Sequence, residues 1–212
     1  MKLRRLGLVD YAPTYDAMRR FTEERSAQTD DELWILQHRP VYTVGVAGRI
    51  EHYPRQGPVA RSVPVQRIDR GGQITYHGPG QAIVYTLLDL ARNRLTVRSL
   101  VRLLEQSVID CLADYNVPAS RRTGAPGIYV DSARGAKVAA LGLRVRRGCC
   151  YHGVALNVDM DLEPFAVIDP CGYPGLAVTQ TSALGVSADT EAMGEALARR
   201  ISQMIESPHA AR

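Results

Sequence analysis

Short apolar runs broken by Gly, Pro and Asp set the rhythm of this chain. Residues 33–36, 41–44, 83–87, 128–130, 138–145 and 154–158 are rich in Val, Ile, Leu and Tyr, and each is too brief for an ordinary helix. They predict strands. Three longer segments carry apolar residues at helical spacing instead. A helix over 14–27 would begin after Pro13. One over 97–116 would follow Thr96 and bury Leu100, Val101, Leu104, Val108, Cys111 and Leu112. A third, over 190–205, presents Met193, Leu197, Ile201, Met204 and Ile205 on one face.

Strands in runs, with helices inserted at irregular intervals, predict an α+β fold around a mixed, mostly antiparallel sheet rather than a repeating βαβ wind. The stretch 57–61, with Gly57 and Pro58, predicts a loop. No repeat or low-complexity linker divides the 212 residues, a length that can bury a sizeable core. The expected organisation is one domain over 1–206 with a loose tail, 207–212.

Composition narrows the classes. At 45% hydrophobic and 23% charged, the chain is of ordinary globular type and not disordered. A net charge of +4 admits an acidic partner. The arginines are scattered and no RNA-stacking consensus appears, so nucleic acid is not expected. Four cysteines, Cys111, Cys149, Cys150 and Cys171, make no disulfide framework at this length. The basic start runs into only a short apolar stretch, unlike a signal peptide. The longest apolar run, 82–88, is far short of a bilayer span. A reducing, cytoplasmic setting follows, with no membrane association and with free thiols.

One lysine then stands out. Of 26 basic residues only Lys2 and Lys137 are lysine. Arginine cannot lose its proton in a protein, whereas a desolvated lysine can. Lys137 opens an apolar strand, so it is either an amine that exchanges a proton, with its pKa lowered by burial, or an ordinary surface lysine. Three segments rich in Gly and Pro accompany it. The first is Arg70-Gly71-Gly72-Gln73-Ile74-Thr75-Tyr76-His77-Gly78-Pro79-Gly80-Gln81, whose glycines let backbone amides approach a ligand. It is no Walker loop, because no Gly-Lys-Ser/Thr follows, and no Rossmann turn, because a strand stands where a helix is required. A plain glycine-rich hairpin, with His77 as a hydrogen-bonded turn residue, is the alternative. The second is Gly135-Ala136-Lys137-Val138-Ala139-Ala140-Leu141-Gly142, which runs on to a solvated basic end at Arg144, Arg146 and Arg147. The third begins His152-Gly153-Val154-Ala155-Leu156-Asn157 and continues to Asp169-Pro170-Cys171-Gly172-Tyr173. Cys171 lies between Pro170 and Gly172, outside any apolar periodicity, which is where a reactive thiol is expected. Cys111 lies on a helical stripe and reads as core. Cys149, Cys150 and His152 lack metal-ligand spacing, so no metal is expected.

Taken in order, these blocks resemble the octanoyl transferases of lipoate synthesis, the lipoate-protein ligase B family. Arg70 to Gln81 matches the family's RGGxxTYHGPGQ block, His152 to Asn157 its HGxALN block and Pro170 to Tyr173 its PCGY block. Gly135 to Gly142 matches its lysine segment. Likeness extends from Pro40 through Ser182; Val46 stands where many members have a polar residue. The resemblance implies a fold like the catalytic domain of biotin and lipoate protein ligases. It implies that Cys171 carries the acyl group as a thioester and that Lys137 is paired with it. It further implies that Arg70, Gly71, Gly72, Gln73, Ile74, Thr75, Tyr76 and His77, with Ala140, Leu141, Gly142, Gly153, Val154 and Ala155, line the substrate site. His152 is a possible supporting residue. The implied partners are octanoyl-acyl carrier protein as donor, and as acceptors the lipoyl domains of 2-oxoacid dehydrogenase E2 subunits and the glycine cleavage H protein. No cofactor is implied. The competing readings are an ATP-dependent lipoate or biotin ligase, and a non-catalytic acyl-chain binding module.

Overall fold

The computed structural model describes residues 1–130, 135–169 and 175–207. Its axis is β6 (Gln81–Asp89), buried at every position but the last. Its residues alternate between two packed faces, as a strand's side chains must. Ala82, Val84 and Leu88 point to one core, and Ile83, Tyr85 and Leu87 to another. Antiparallel neighbours flank it: β2 (Glu32–His38) on one side and β10 (Cys149–Asn157) on the other. Beyond β10 come β9 (Lys137–Arg146), β8 (Ala125–Val130) and β7 (Ala119–Arg122). Beyond β2, β1 (Lys2–Val9) pairs in parallel and ends the seven-stranded sheet.

A second, three-stranded sheet centres on β3 (Val41–Val44), with β4 (Val65–Arg67) parallel and β5 (Ile74–His77) antiparallel to it. On one face of the large sheet, α3 (Val97–Ala113) and α4 (Thr190–Glu206) bury Leu100, Leu104, Val108, Leu197 and Ile201 against Val84 and Leu88. Each such side chain contributes about 1.5–3 kcal/mol on burial. On the other face, α1 (Tyr11–Glu23) seats Met18 among Trp34, Ile83, Tyr85 and Leu87. The mixed, mostly antiparallel α+β expectation is borne out.

Several boundaries differ from expectation. The predicted loop at 57–61 is a short helix, α2 (Pro58–Ser62), because Pro58 at the first helical position marks a start. The helix expected from residue 14 begins at Tyr11, with Pro13 inside the first turn, where amides have no intrahelical partners anyway. It stops at Glu23, and beyond that end Arg25 pairs with buried Asp31. The helix expected to reach residue 116 ends at Ala113, and Asn116 adopts a left-handed φ of 58°. Strands β1, β4, β5 and β7 were not expected. β1 and β7 are largely exposed and carry arginine instead of apolar runs. Helix α4 ends at Glu206, and residues 208–212 of the expected tail lie outside the described residues.

The floor of the fold is the β6–β10 junction. The ladder pairs Cys150 with Leu88 and then Gly153 with Tyr85. Between these pairs His152 takes a φ of 65°, and the Thr86 hydroxyl donates to its carbonyl at 3.1 Å. A Cβ on Gly153 would lie 2.1 Å from the Val84 carbonyl oxygen, so no other residue permits this approach. Gly153→Ala should therefore cost about 1–3 kcal/mol through overpacking. Gly57→Ala, where a Cβ meets nothing, should stay within about 0.5 kcal/mol of the parent. Urea denaturation of the two variants checks this, and equal midpoints would contradict it.

Candidate active site

A cleft of about 530 Å³, partly open to solvent, lies where the first turn of α1 and strands β6, β10 and β9 meet the segment leading into β5. The segment supplies Arg70, Gly71, Gly72, Gln73, Ile74, Thr75 and His77. Ala140, Leu141 and Gly142 come from β9, and His152, Gly153, Val154 and Ala155 from β10. These are the residues picked out by sequence, with one correction. Tyr76 is turned away from the cleft, 3% exposed and packed on Tyr42 and Phe165 with ring centroids 5.5 Å apart. Tyr76 instead joins the smaller core with Tyr42, Met160, Phe165 and Ile168. Three lining residues escaped sequence reasoning: Tyr11, Ile83 and Tyr85. The period-two pattern of β6 carried the signal for the last two.

The glycine-rich segment is held by Arg70. Its Nη2 donates to the Thr43 carbonyl at 2.6 Å and the Thr43 hydroxyl at 2.9 Å, while Nη1 donates to the Gly71 carbonyl at 2.9 Å. The Gly71 amide in turn donates to the Leu143 carbonyl of β9 at 3.0 Å. The buried guanidinium thus staples the segment to β3, and the Gly71 amide docks it on the large sheet.

Three buried imidazoles surround the cleft. His77 Nδ1 donates to Gln81 Oε1 at 2.7 Å. The Gln81 amide passes the chain on to Asn157 at 2.9 Å, and Asn157 reaches the Thr179 carbonyl at 3.0 Å. His38 donates from Nδ1 to the Val9 carbonyl and accepts from the Tyr85 hydroxyl at 2.7 Å. Burial pushes His77 down to about 3, assisted by His38, and His38 down to about 4. Burial also lowers His152, outweighing the opposite pull of Asp69, whose Oδ1 lies 3.5 Å from Nε2. For Asp69 itself burial acts upward, but contacts with His152, Tyr151 and Tyr15 outweigh it and hold the carboxyl well below its usual range. All three imidazoles are therefore neutral at pH 7, and those of His77 and His38 donate N–H bonds without charge.

Lys137 opens β9 and is 3% exposed. Its Nζ donates to the Pro126 carbonyl at 3.0 Å and lies 5.2 Å from the Tyr129 ring centroid. Its backbone N–H donates to Ala177 at 2.8 Å and its carbonyl accepts from Thr179 at 2.9 Å. Lys137 does not itself line the cleft, standing three positions before Ala140 on the same strand. Cys171 lies outside the described residues, six positions before Ala177 in the chain. The other cysteines are free, and Cys111 and Cys150 are buried thiols pushed up to about 11 by desolvation. That fits the inert, packed role expected of Cys111.

The family model of the lipoyl protein ligase A/B catalytic domain matches residues 10–202. The chain belongs to this family. Its similar relatives include octanoyltransferases of Thiobacillus denitrificans, 58% identical over 97% of this chain and 91% of that protein, and of Azoarcus sp., 56% identical over 96% and 87%. Among solved structures, a lipoate-protein ligase A bound with ATP matches with a TM-score of 0.73 at 17% identity, covering 96% of this chain and 85% of that one. The biotin protein ligase of Aquifex aeolicus, in complex with biotin and ATP, matches at 0.58 with 16% identity, covering 97% and 70%. At such identities these structures speak to fold alone, and they bear out the ligase-type catalytic domain. Among the described residues, no helix of this family member is long and apolar enough to cross a membrane.

Two predictions follow from this geometry. Gly127 has a φ of 128°, and a Cβ there would lie 2.9 Å from Lys137 Cε and 2.8 Å from the Ala139 carbonyl oxygen. Gly127→Ala should displace the lysine side chain, and a shift of the Lys137 side-chain NMR signals checks this, at a cost of about 1–3 kcal/mol through overpacking. The second concerns pH. The unfolded imidazoles take up protons below about 6.5 that the folded ones refuse until about 4 for His38 and about 3 for His77. Stability should thus fall with decreasing pH below that point, by about 1.4 kcal/mol per pH unit for each imidazole. Urea midpoints at pH 7.5 and 5 measure the slope, and His77→Asn should reduce it.

Proposed function

We propose that this chain is an octanoyltransferase of lipoate biosynthesis, moving an octanoyl group from acyl carrier protein to a lysine amine of a lipoyl domain through a thioester on Cys171. The observation that carries this reading is the agreement of octanoyltransferases at 52–58% identity across nearly the whole chain. The donor thioester is already activated, so no ATP or other cofactor enters. This separates the reading from that of an ATP-dependent ligase. A carrier with no chemistry would not need a buried lysine where every other cation but Lys2 is arginine.

The cleft suits an acyl tail. Ile74, Ile83, Leu141 and Val154 give it apolar walls. Burying six methylenes at about 0.8 kcal/mol each contributes roughly 5 kcal/mol. Backbone amides of the glycine-rich segment offer donors for a carbonyl oxygen that gains charge.

In the first step the Cys171 thiolate attacks the octanoyl carbonyl. A new S–C bond forms, the old one breaks, and the carrier's thiolate leaves as a thiol with the proton given up by the Lys137 ammonium. The Lys137 ammonium favours the thiolate as a neighbouring cation. The tether of Lys137 to Ala177 and Thr179, a few residues after Cys171, supports this pairing. Acylation removes the negative charge, and the lysine amine then takes the proton released as the acceptor's amine attacks. The N–C amide bond forms, the S–C bond breaks and the Cys171 thiolate is restored beside the Lys137 ammonium. Arginine can favour the thiolate but cannot exchange the proton. The acceptors are lipoyl domains of 2-oxoacid dehydrogenase E2 subunits and the glycine cleavage H protein, in a reducing cytoplasm that keeps the thiol free.

Intact-mass measurement after incubation with octanoyl-acyl carrier protein, without ATP, should show a gain of one octanoyl group, lost in Cys171→Ser. Lys137→Arg should acquire the adduct but fail to pass it to a lipoyl domain. Normal onward transfer by Lys137→Arg would refute the proton-exchange role.

A further inference from the structure

One charged side chain on α3 is buried without belonging to the cleft. Glu105 is 6% exposed, next to Leu103 and Leu104 on the face that packs into the core. Its Oε2 accepts from Arg121 Nε at 3.0 Å, and its Oε1 accepts from the Gly127 amide at 3.3 Å. That amide belongs to the peptide unit joining Pro126 to Gly127. The carbonyl of the same unit, on Pro126, accepts from Lys137 Nζ at 3.0 Å. A carboxylate and an amine thus grip opposite ends of one peptide plane. Hydrogen bonds in such a chain polarise one another, so the carboxylate drawing on the N–H strengthens the carbonyl as an acceptor.

The surroundings fit this arrangement. The β8–β9 ladder is irregular here: Ile128 pairs with Ala139 but Tyr129 pairs with Lys137, a bulge of the kind that re-aims a side chain. The lysine stem lies across Gly127, where a Cβ would stand 3.1 Å from Nζ.

We infer that Glu105 is a positioning residue for Lys137, acting through the peptide unit that joins Pro126 to Gly127. The inference rests on the proposed role of Lys137 for its effect on turnover, but not for its geometry. The competing account is that Glu105 serves only its ion pair with Arg121, tying α3 to β7.

The chain's lysine content makes the test direct. With only Lys2 and Lys137 present, isotope labelling of lysine yields two sets of side-chain NMR signals. Lys2, bound to exposed Asp30, serves as the internal reference, and Lys137→Arg assigns the other set. The Lys137 methylene signals, displaced by the Tyr129 ring, report the position of the amine. Glu105→Leu should move them towards those of a free lysine and lower kcat for octanoyl transfer roughly tenfold with KM unchanged, the scale of one lost hydrogen bond. Glu105→Gln keeps a neutral acceptor for the Gly127 amide and should give an intermediate displacement and partial recovery. Arg121→Gln removes the ion pair but leaves the acceptor, and should leave the Lys137 signals in place. Unmoved Lys137 signals in Glu105→Leu, or equal movement in Arg121→Gln, would overturn the inference. If Glu105→Leu does not fold, Glu105→Gln decides, since its weaker acceptor must move both the Gly127 amide and the Lys137 signals. Normal transfer by Lys137→Arg alongside displaced signals would refute the proposed role of the lysine and leave the positioning intact.

Discussion

The close approach of β6 and β10 at Gly153 is the contact on which the rest depends. Both strands are buried on both faces, so side chains on one side anchor α3 and α4 while those on the other meet α1 and the cleft. A missing side chain at one position brings Val84 near enough to close the sheet, and Thr86 satisfies the carbonyl exposed by the left-handed turn at His152. Because these strands also carry Ile83, Tyr85, Val154 and Ala155, the cleft takes one wall from the rigid centre of the sheet, while the glycine-rich segment supplies another. Sites held on such elements keep their geometry better than sites on loops.

Around that centre Arg70 and the network that starts at His77 are hydrogen-bonded without adding mobile charge. Arg70 spends its donors on Thr43 and Gly71, and three imidazoles stay neutral because burial disfavours their charged forms. The bonds from His77 through Gln81 and Asn157 to Thr179 run across the base of the site. Thr179 is also bonded to Lys137, so one network joins the histidine of the glycine-rich segment to the strand bearing the lysine. The Asn157 and His77 of the two motif blocks are thus parts of one scaffold. Their joint presence in the sequence has a mechanical reason.

Lys137 is held as closely as any core residue, by backbone pairing on both sides, by Pro126 and by the face of Tyr129. Fixing a flexible lysine costs rotamer entropy of up to about 1.5–2 kcal/mol. Its fixed position is of use where an amine must stand beside a thiol and then accept a proton from a third group. Gly127 leaves room for the stem, and Glu105 braces the peptide that the amine grips.

Much of this was legible in the chain itself. Short continuous apolar runs marked β2, β3, β6, β8, β9 and β10, because strands packed on both faces must be apolar throughout. Stripes at helical spacing marked α3 and α4 for the same reason. The scarcity of lysine singled out Lys137, and the glycine-rich blocks marked the cleft walls, since close backbone approach requires glycine. Other features needed the tertiary structure. Edge strands such as β1 lack an apolar signal because water covers much of them. Tyr76 leaves the cleft because it packs with Tyr42 and Phe165 in the smaller core. Tyr11 and Glu105 join the site through contacts across 66 and 22 positions, to His77 and Gly127, and no local pattern encodes such distant pairing. Residue types and their spacing specify which groups are available, but only packing in three dimensions decides which of them meet.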